Sequence, residues 1–241
     1  MLLFLIMSYA ACTTTPDEMA KPSYDAVGKA TKLFYEGVQF YSENDFERAI
    51  NSFTEAIRIY PSFQKAHVKR GVTHYVLGRH SEAMRDFNYA ISLGPQDPSF
   101  YASAHAMMGR IYNAFGEYEN AIESFNHALR ISPFSPDAFN GRSRAYFRLG
   151  NLPAALIDIN VAIRLDSSDY VLFFNRGNIY YEFGFYSRVL ADFIRSLNLN
   201  SYNVLAAANA ALIAKKLGHY ELSLSLYNHA NYLDPDFLAV P

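Results

Sequence analysis

Seven histidines, one cysteine and twelve glycines are the residues from which a reactive or metal-binding site could be assembled. Zinc held by a single helix asks for two imidazoles four residues apart, so that both project from one face. His67, His74, His80, His105, His127, His219 and His229 contain no such pair. They are expected to be packing or surface imidazoles, with no metal ligand among them. A single cysteine excludes a disulfide framework and a cysteine-rich zinc site. That cysteine, Cys12, closes an apolar run at 2–11 and fits a leader segment better than a thiol nucleophile. The glycines form no phosphate-cradling loop. No catalytic group and no cofactor are expected, and hence no enzyme.

Composition narrows the class further. The 241 residues are 51% hydrophobic and 18% charged, with a formal net charge of −2. Such apolar content is incompatible with a disordered chain. Near-neutral charge argues against nucleic-acid binding, which depends on pairing basic side chains with phosphates. Nineteen Tyr and nineteen Phe occur with no Trp, so the aromatic content calls for a structural account.

The elements that would position any site follow from an internal repeat. Units beginning at Ala30, Gln64, Ala102, Pro136, Tyr170 and Val204 superpose at 34 residues, with one four-residue insertion at Pro98–Tyr101. The eighth position is small: Gly37, Gly71, Gly109, Ser143, Gly177 and Ala211. A short side chain there lets one helix approach the next closely. The fifteenth position holds Asn44, Gly78, Gly116, Gly150, Gly184 and Gly218, residues that accept the left-handed conformation ending a helix. Nine of the twelve glycines fall in these two columns. Large residues follow at Phe53, Phe87, Phe125, Ile159, Phe193 and Tyr227, flanked by small ones four before and three after. These spacings place a knob between two notches on one helical face. Pro61, Pro95, Pro133 and Pro235 close four of the units.

Stretches such as Gly109–Pro133 (GRIYNAFGEYENAIESFNHALRISP) carry these columns together. On them the chain resembles the tetratricopeptide repeat (TPR) family, over six units spanning 30–237. The resemblance implies an all-α protein, a right-handed α-solenoid of six helix-turn-helix units with a concave face. It implies recognition of a protein or peptide, not catalysis. Two departures stand out. Arg70, Arg142 and Arg176 occupy a column usually apolar in the family. His67 and His105 stand where a large apolar residue is usual, and His74 where an aromatic is. The last helix carries Leu222, Leu224, Leu226, Tyr227 and Leu233 with few residues after it. Self-association through that face, as a homodimer, is the alternative expectation, and a regulatory module for a separate enzyme is another.

The small residues Ala10 and Ala11 before Cys12 resemble the lipobox of bacterial lipoproteins, in which the cysteine is lipidated and becomes the N-terminus. Tyr9 stands where that family usually has Leu, and no Lys or Arg precedes Lys21. The expected layout is a signal and lipobox at 1–12, a flexible tether at 13–29, the repeat domain at 30–237 and a tail at 238–241. A lipid anchor at Cys12 would hold the protein on the periplasmic side of a bacterial cell envelope, the alternative being the cytoplasm. The layout looks like that of cell-envelope TPR lipoproteins and, more distantly, of secretin pilotins.

In TPR proteins the first helix of each unit lines the groove. The positions that do so correspond here to Lys65, Lys69, Tyr75, Arg110, Asn140, Arg144, Phe147, Arg148, Phe174, Asn175, Asn178, Tyr181 and Asn209. The middle of this set is basic and suits a partner with acidic segments. Asn175, Asn178 and Asn209 resemble part of an asparagine ladder, whose amides can pair with a peptide backbone whatever its sequence. Asn178 and Asn209 also match two positions of a chaperone-binding carboxylate clamp, but its basic positions are not matched. The expectation is a non-enzymatic adaptor that binds a protein or peptide partner in this groove.

Overall fold

The computed structural model describes residues 22–235. Cys12, most of the expected tether and the tail lie outside them. Twelve α-helices and no strand occur among the described residues. The first helices of the six repeats are α1 (Tyr24–Ser42), α3 (Gln64–Val76), α5 (Pro98–Phe115), α7 (Pro136–Arg148), α9 (Tyr170–Glu182) and α11 (Val204–Lys216). Their partners are α2 (Phe46–Ile59), α4 (His80–Ser92), α6 (Tyr118–Ile131), α8 (Leu152–Leu165), α10 (Tyr186–Leu199) and α12 (Tyr220–Leu233). The helices gather into two bodies, one ending at Asp97 and the other beginning at Pro98. The first holds α1–α4 and the second α5–α12.

Two helix starts differ from expectation. Helix α1 begins at Tyr24, because Ser23 caps it: its hydroxyl accepts from the Ala26 amide at 3.2 Å. Residues 24–29 are therefore helix and not tether. The insertion at Pro98–Tyr101 supplies the first turn of α5, which has 18 residues where α7 has 13. Proline suits the first position of a helix, where its missing N–H has no partner to lose.

The knobs and notches interlock as their spacing requires. A Cβ added to Gly37 would lie 2.6 Å from Phe53, and one on Gly177 would lie 2.6 Å from Phe193. Phe53, Phe87, Phe125 and Phe193 are fully buried, each ring contributing about 1.5–3 kcal/mol by leaving water. The fourth repeat exchanges volume between the two positions: Ser143 replaces the glycine and the smaller Ile159 replaces the ring. The Ser143 hydroxyl then donates to the Ala155 carbonyl at 2.8 Å. Gly141, outside either column, makes a second close approach, since a Cβ there would come within 2.3 Å of Phe125. Residues at the fifteenth position all have positive φ, from 61° at Asn44 to 82° at Gly218.

The arginine column has a partner that the sequence pattern alone left unseen. Arg70 donates through Nε and Nη2 to Asp86 at 2.9 and 2.7 Å, and through Nη1 to Thr54 at 3.0 Å. Arg142 repeats this with Asp158 and Asn126, and Arg176 with Asp192 and Asn160. Each guanidinium thus ties its own helix to the second helix of its repeat and to the second helix of the repeat before. His67 adds to the first of these clusters, facing Asp86 at 3.3 Å and the Pro61 carbonyl at 2.8 Å. Burial pushes the Asp86 carboxyl up, but hydrogen bonds from His67 and Arg70 more than offset this and hold it below the usual range.

Candidate functional site

Close packing at position eight decides what position nine can do. The helical turn that presses Ser143 or Gly177 onto a partner helix carries the next residue away from it, and residues three and four further on share its face. In the second body the ninth positions are Arg110, Arg144, Asn178 and Leu212. With them go Asn113 on α5, Phe147 and Arg148 on α7, Tyr181 on α9 and Lys216 on α11. Helix α5 touches α7, and α7 touches α9, so these patches adjoin.

Three clefts result. One of about 170 Å³ is lined by Asn113, Tyr118, Arg144, Phe147, Arg148 and Asn175, with Asn178 at its edge. The Arg148 guanidinium lies 5.5 Å from the centre of the Tyr118 ring. Arg144 and Arg148 are exposed, and neither has a carboxylate at ion-pair distance among the described residues. Asn113 donates to the Gly141 carbonyl at 2.8 Å, while its own side-chain oxygen is buried without a partner. A second cleft, of about 300 Å³, shares Asn178 and adds Tyr181, Asn209, Leu212, Ile213 and Lys216. A third, of about 260 Å³, is lined by Ser103, Arg110, Ser132 and Asp137 among others.

The expected groove residues divide accordingly. Arg144, Phe147, Arg148, Asn175 and Asn178 meet in the first cleft, Asn178, Tyr181 and Asn209 in the second, and Arg110 in the third. Asn140 is engaged internally, its oxygen accepting from the Asn175 amide at 2.8 Å. The asparagine ladder is thereby partly closed, which leaves Asn178 and Asn209 as its open amides. Phe174 is half-buried, packs on Phe193 at 5.4 Å between ring centres at the margin of the core, and lines none of these three clefts. Lys65, Lys69 and Tyr75 belong to the first body. There Lys65 is paired with Asp97 at 2.9 Å, and Tyr75 packs beside His80.

Lys216 was expected on this face from its helix position, whereas Tyr118, Leu212 and Ile213 were absent from the expected set. Leu212 stands in the same column as Arg110, Arg144 and Asn178, a signal legible in advance. Tyr118 comes from a second helix, and no first-helix rule would find it. Of the histidines, His67 and His105 are buried among the described residues. His105 stacks on His127 with ring centres 4.8 Å apart, and its Nε2 is buried without a partner. Burial, then the neighbouring His127 and Arg130, lower the His105 pKa to about 4. No cluster of three or more metal-ligating side chains occurs among the described residues, and no described helix is long and apolar enough to cross a membrane. On α12, Leu224 and Tyr227 are exposed, whereas Leu226 is half-buried against the core.

Paired helices with a notch, a knob and an open lining face define a helical-repeat protein. Residues 36–98 and 206–237 match models described as tetratricopeptide repeat and 109–150 one described as TPR repeat, together more than half of the chain. The chain belongs to the tetratricopeptide repeat family, whose members generally mediate protein–protein interactions. Small glutamine-rich tetratricopeptide repeat-containing protein 2 of Saccharomyces cerevisiae is 34% identical over 73 residues, 30% of this chain and only 20% of that one. Among solved structures, Pseudomonas aeruginosa PilF aligns with a TM-score of 0.77 at 15% identity, over 90% of this chain and 100% of its own. PilW, a type IV pilus biogenesis factor, aligns at 0.75 with 14% identity, over 86% and 94% of the two chains. The APC/C hetero-tetramer Cut9–Hcn1 aligns at 0.74 with 16% identity over 86% of this chain, but the match spans only 40% of the chain it aligns with. At these identities the likeness is one of fold.

Proposed function

We propose that the protein is a non-enzymatic adaptor whose face on α5, α7, α9 and α11 holds an extended segment of a protein partner. Cys12 would anchor it by lipid at a bacterial cell-envelope membrane. One observation carries the binding reading. Arg144 and Arg148 stand open without carboxylate partners, beside the open amide of Asn178, whereas Arg142 and Arg176 on the same helices are fully engaged by Asp158 and Asp192. Ion-pair capacity has been kept where a partner can reach it. The anchor rests on the Cys12 segment alone.

Arg144→Glu with Arg148→Glu, in the full chain, should abolish co-purification of its partners from the native host, while Arg85→Glu, on α4, should not. An unchanged set of partners would refute the binding reading. Labelled palmitate should be incorporated by the wild type and not by Cys12→Ser; no Cys12-dependent label would refute the anchor.

A further inference from the structure

We infer that the face reads two features of a single segment: an internal acidic side chain and, about three residues away, a large apolar one. This rests on the adaptor reading and specifies its ligand. The ninth-position column changes chemistry along the second body, from Arg110 and Arg144 to Asn178 and then Leu212. The first cleft offers two open guanidinium groups together with Phe147, and the second offers Tyr181, Leu212 and Ile213, with Leu212 two-thirds exposed (66%). Two open guanidinium groups make the first cleft the better seat for a carboxylate, because the one cation of the second, Lys216, already sits 3.8 Å from the centre of the Tyr186 ring; the apolar lining of the second favours an apolar side chain.

Asn178 borders both clefts. Its amide has a donor and an acceptor to offer a backbone group between the two side chains. The two clefts lie on either side of α9 and share Asn178, so they are one helix width apart, roughly 10 Å with side chains. In a polyproline II backbone, residues i and i+3 project from the same side about 9 Å apart. That conformation has no internal hydrogen bonds and leaves its carbonyl groups free to accept from the Asn178 amide. The acidic group is assigned to a side chain and not to a chain terminus, because the face continues past the arginines into the third cleft, at Ser103 and Arg110. A segment ending at Arg144 would leave that cleft unused. Glu182, on the same side of α9 by helix position, makes no ion pair with either arginine and does not neutralise the site.

The test uses the full chain and fluorescein-labelled peptides, acetylated and amidated, built from Ser and Gly around Asp-Pro-Pro-Leu, Asn-Pro-Pro-Leu, Asp-Pro-Pro-Ser or Asn-Pro-Pro-Ser, each in both orders. Anisotropy should show Asp-Pro-Pro-Leu tightest in one order, with Asp→Asn and Leu→Ser each costing about tenfold. Arg144→Gln with Arg148→Gln should erase the Asp preference and keep the Leu preference; Leu212→Ser should do the opposite. Circular dichroism verifies that each variant is folded. Equal binding of all four peptides overturns this inference and leaves the adaptor reading standing. Binding of none overturns both. An Asp preference that survives loss of the arginines, or a peptide bound better through a free C-terminal carboxylate than through internal Asp, also overturns it.

Discussion

Arg142 and Asp158 lie sixteen residues apart on the two helices of one repeat and share two hydrogen bonds, of 2.6 and 2.8 Å. The aspartate is almost wholly buried, and Arg142 also donates to Asn126 in the preceding repeat. Removing Asp158 leaves the largely buried Arg142 charge without its carboxylate, so Asp158→Ala should cost about 3 kcal/mol in urea unfolding. The third repeat carries Met108 and Ser124 at the equivalent positions. The double change Arg142→Met with Asp158→Ser should therefore cost less than Asp158→Ala alone. Equal or additive losses would show that the pair does not act as a unit.

Gly177 and Gly150 should fail for different reasons. A side chain on Gly177 meets the Phe193 ring at 2.6 Å, so Gly177→Ser should destabilise by about 1–3 kcal/mol through overpacking. Adding Phe193→Ile, the combination of the fourth repeat, should recover part of that loss. Around Gly150 nothing lies within 4 Å, but φ is 77°. Gly150→Ala should cost about 1 kcal/mol by backbone conformation alone, with no rescue from any neighbour. Thermal melts of the three variants separate the two cases.

Buried His105, whose Nε2 has no partner, makes an acid prediction. Its pKa is lowered from 6.5 to about 4 in the folded chain. Between those values the unfolded chain binds a proton that the folded chain does not, so stability is intact above pH 6.5 and falls as the pH drops toward 4. His105→Phe should flatten the Tm profile across that window. A slope identical to wild type would place the acid sensitivity elsewhere.

Asn178→Ala should weaken every peptide of the Asp/Leu series by a similar factor, about 2–10-fold, because an amide paired with backbone carries no side-chain preference. Loss confined to the Asp-containing peptides would instead assign Asn178 to the carboxylate.

The notch, the knob and the helix-ending residue were legible because each answers a constraint local to its own repeat: a ring against a missing Cβ, or a φ that glycine and asparagine tolerate. The arginine column was visible only as a departure. Its explanation was nevertheless present, since Asp occurs at position twenty-three in the repeats with Arg at position seven and in none of the others. Ser23, a capping residue just after Pro22, likewise signalled that helix begins before Ala30. The Asn140–Asn175 hydrogen bond and the packing of Phe174 on Phe193 were not legible, because they depend on how side chains of neighbouring helices turn toward one another.

The adjacency of positions eight and nine has a consequence for the history of such a chain. One is held by the van der Waals surface of a ring, and the other touches mainly solvent. Substitutions at Arg110, Arg144, Asn178 and Leu212 can therefore accumulate one repeat at a time with little effect on folding. What the chain binds can drift while how it folds stays put, each repeat contributing a separately editable letter to the sentence its partner must match.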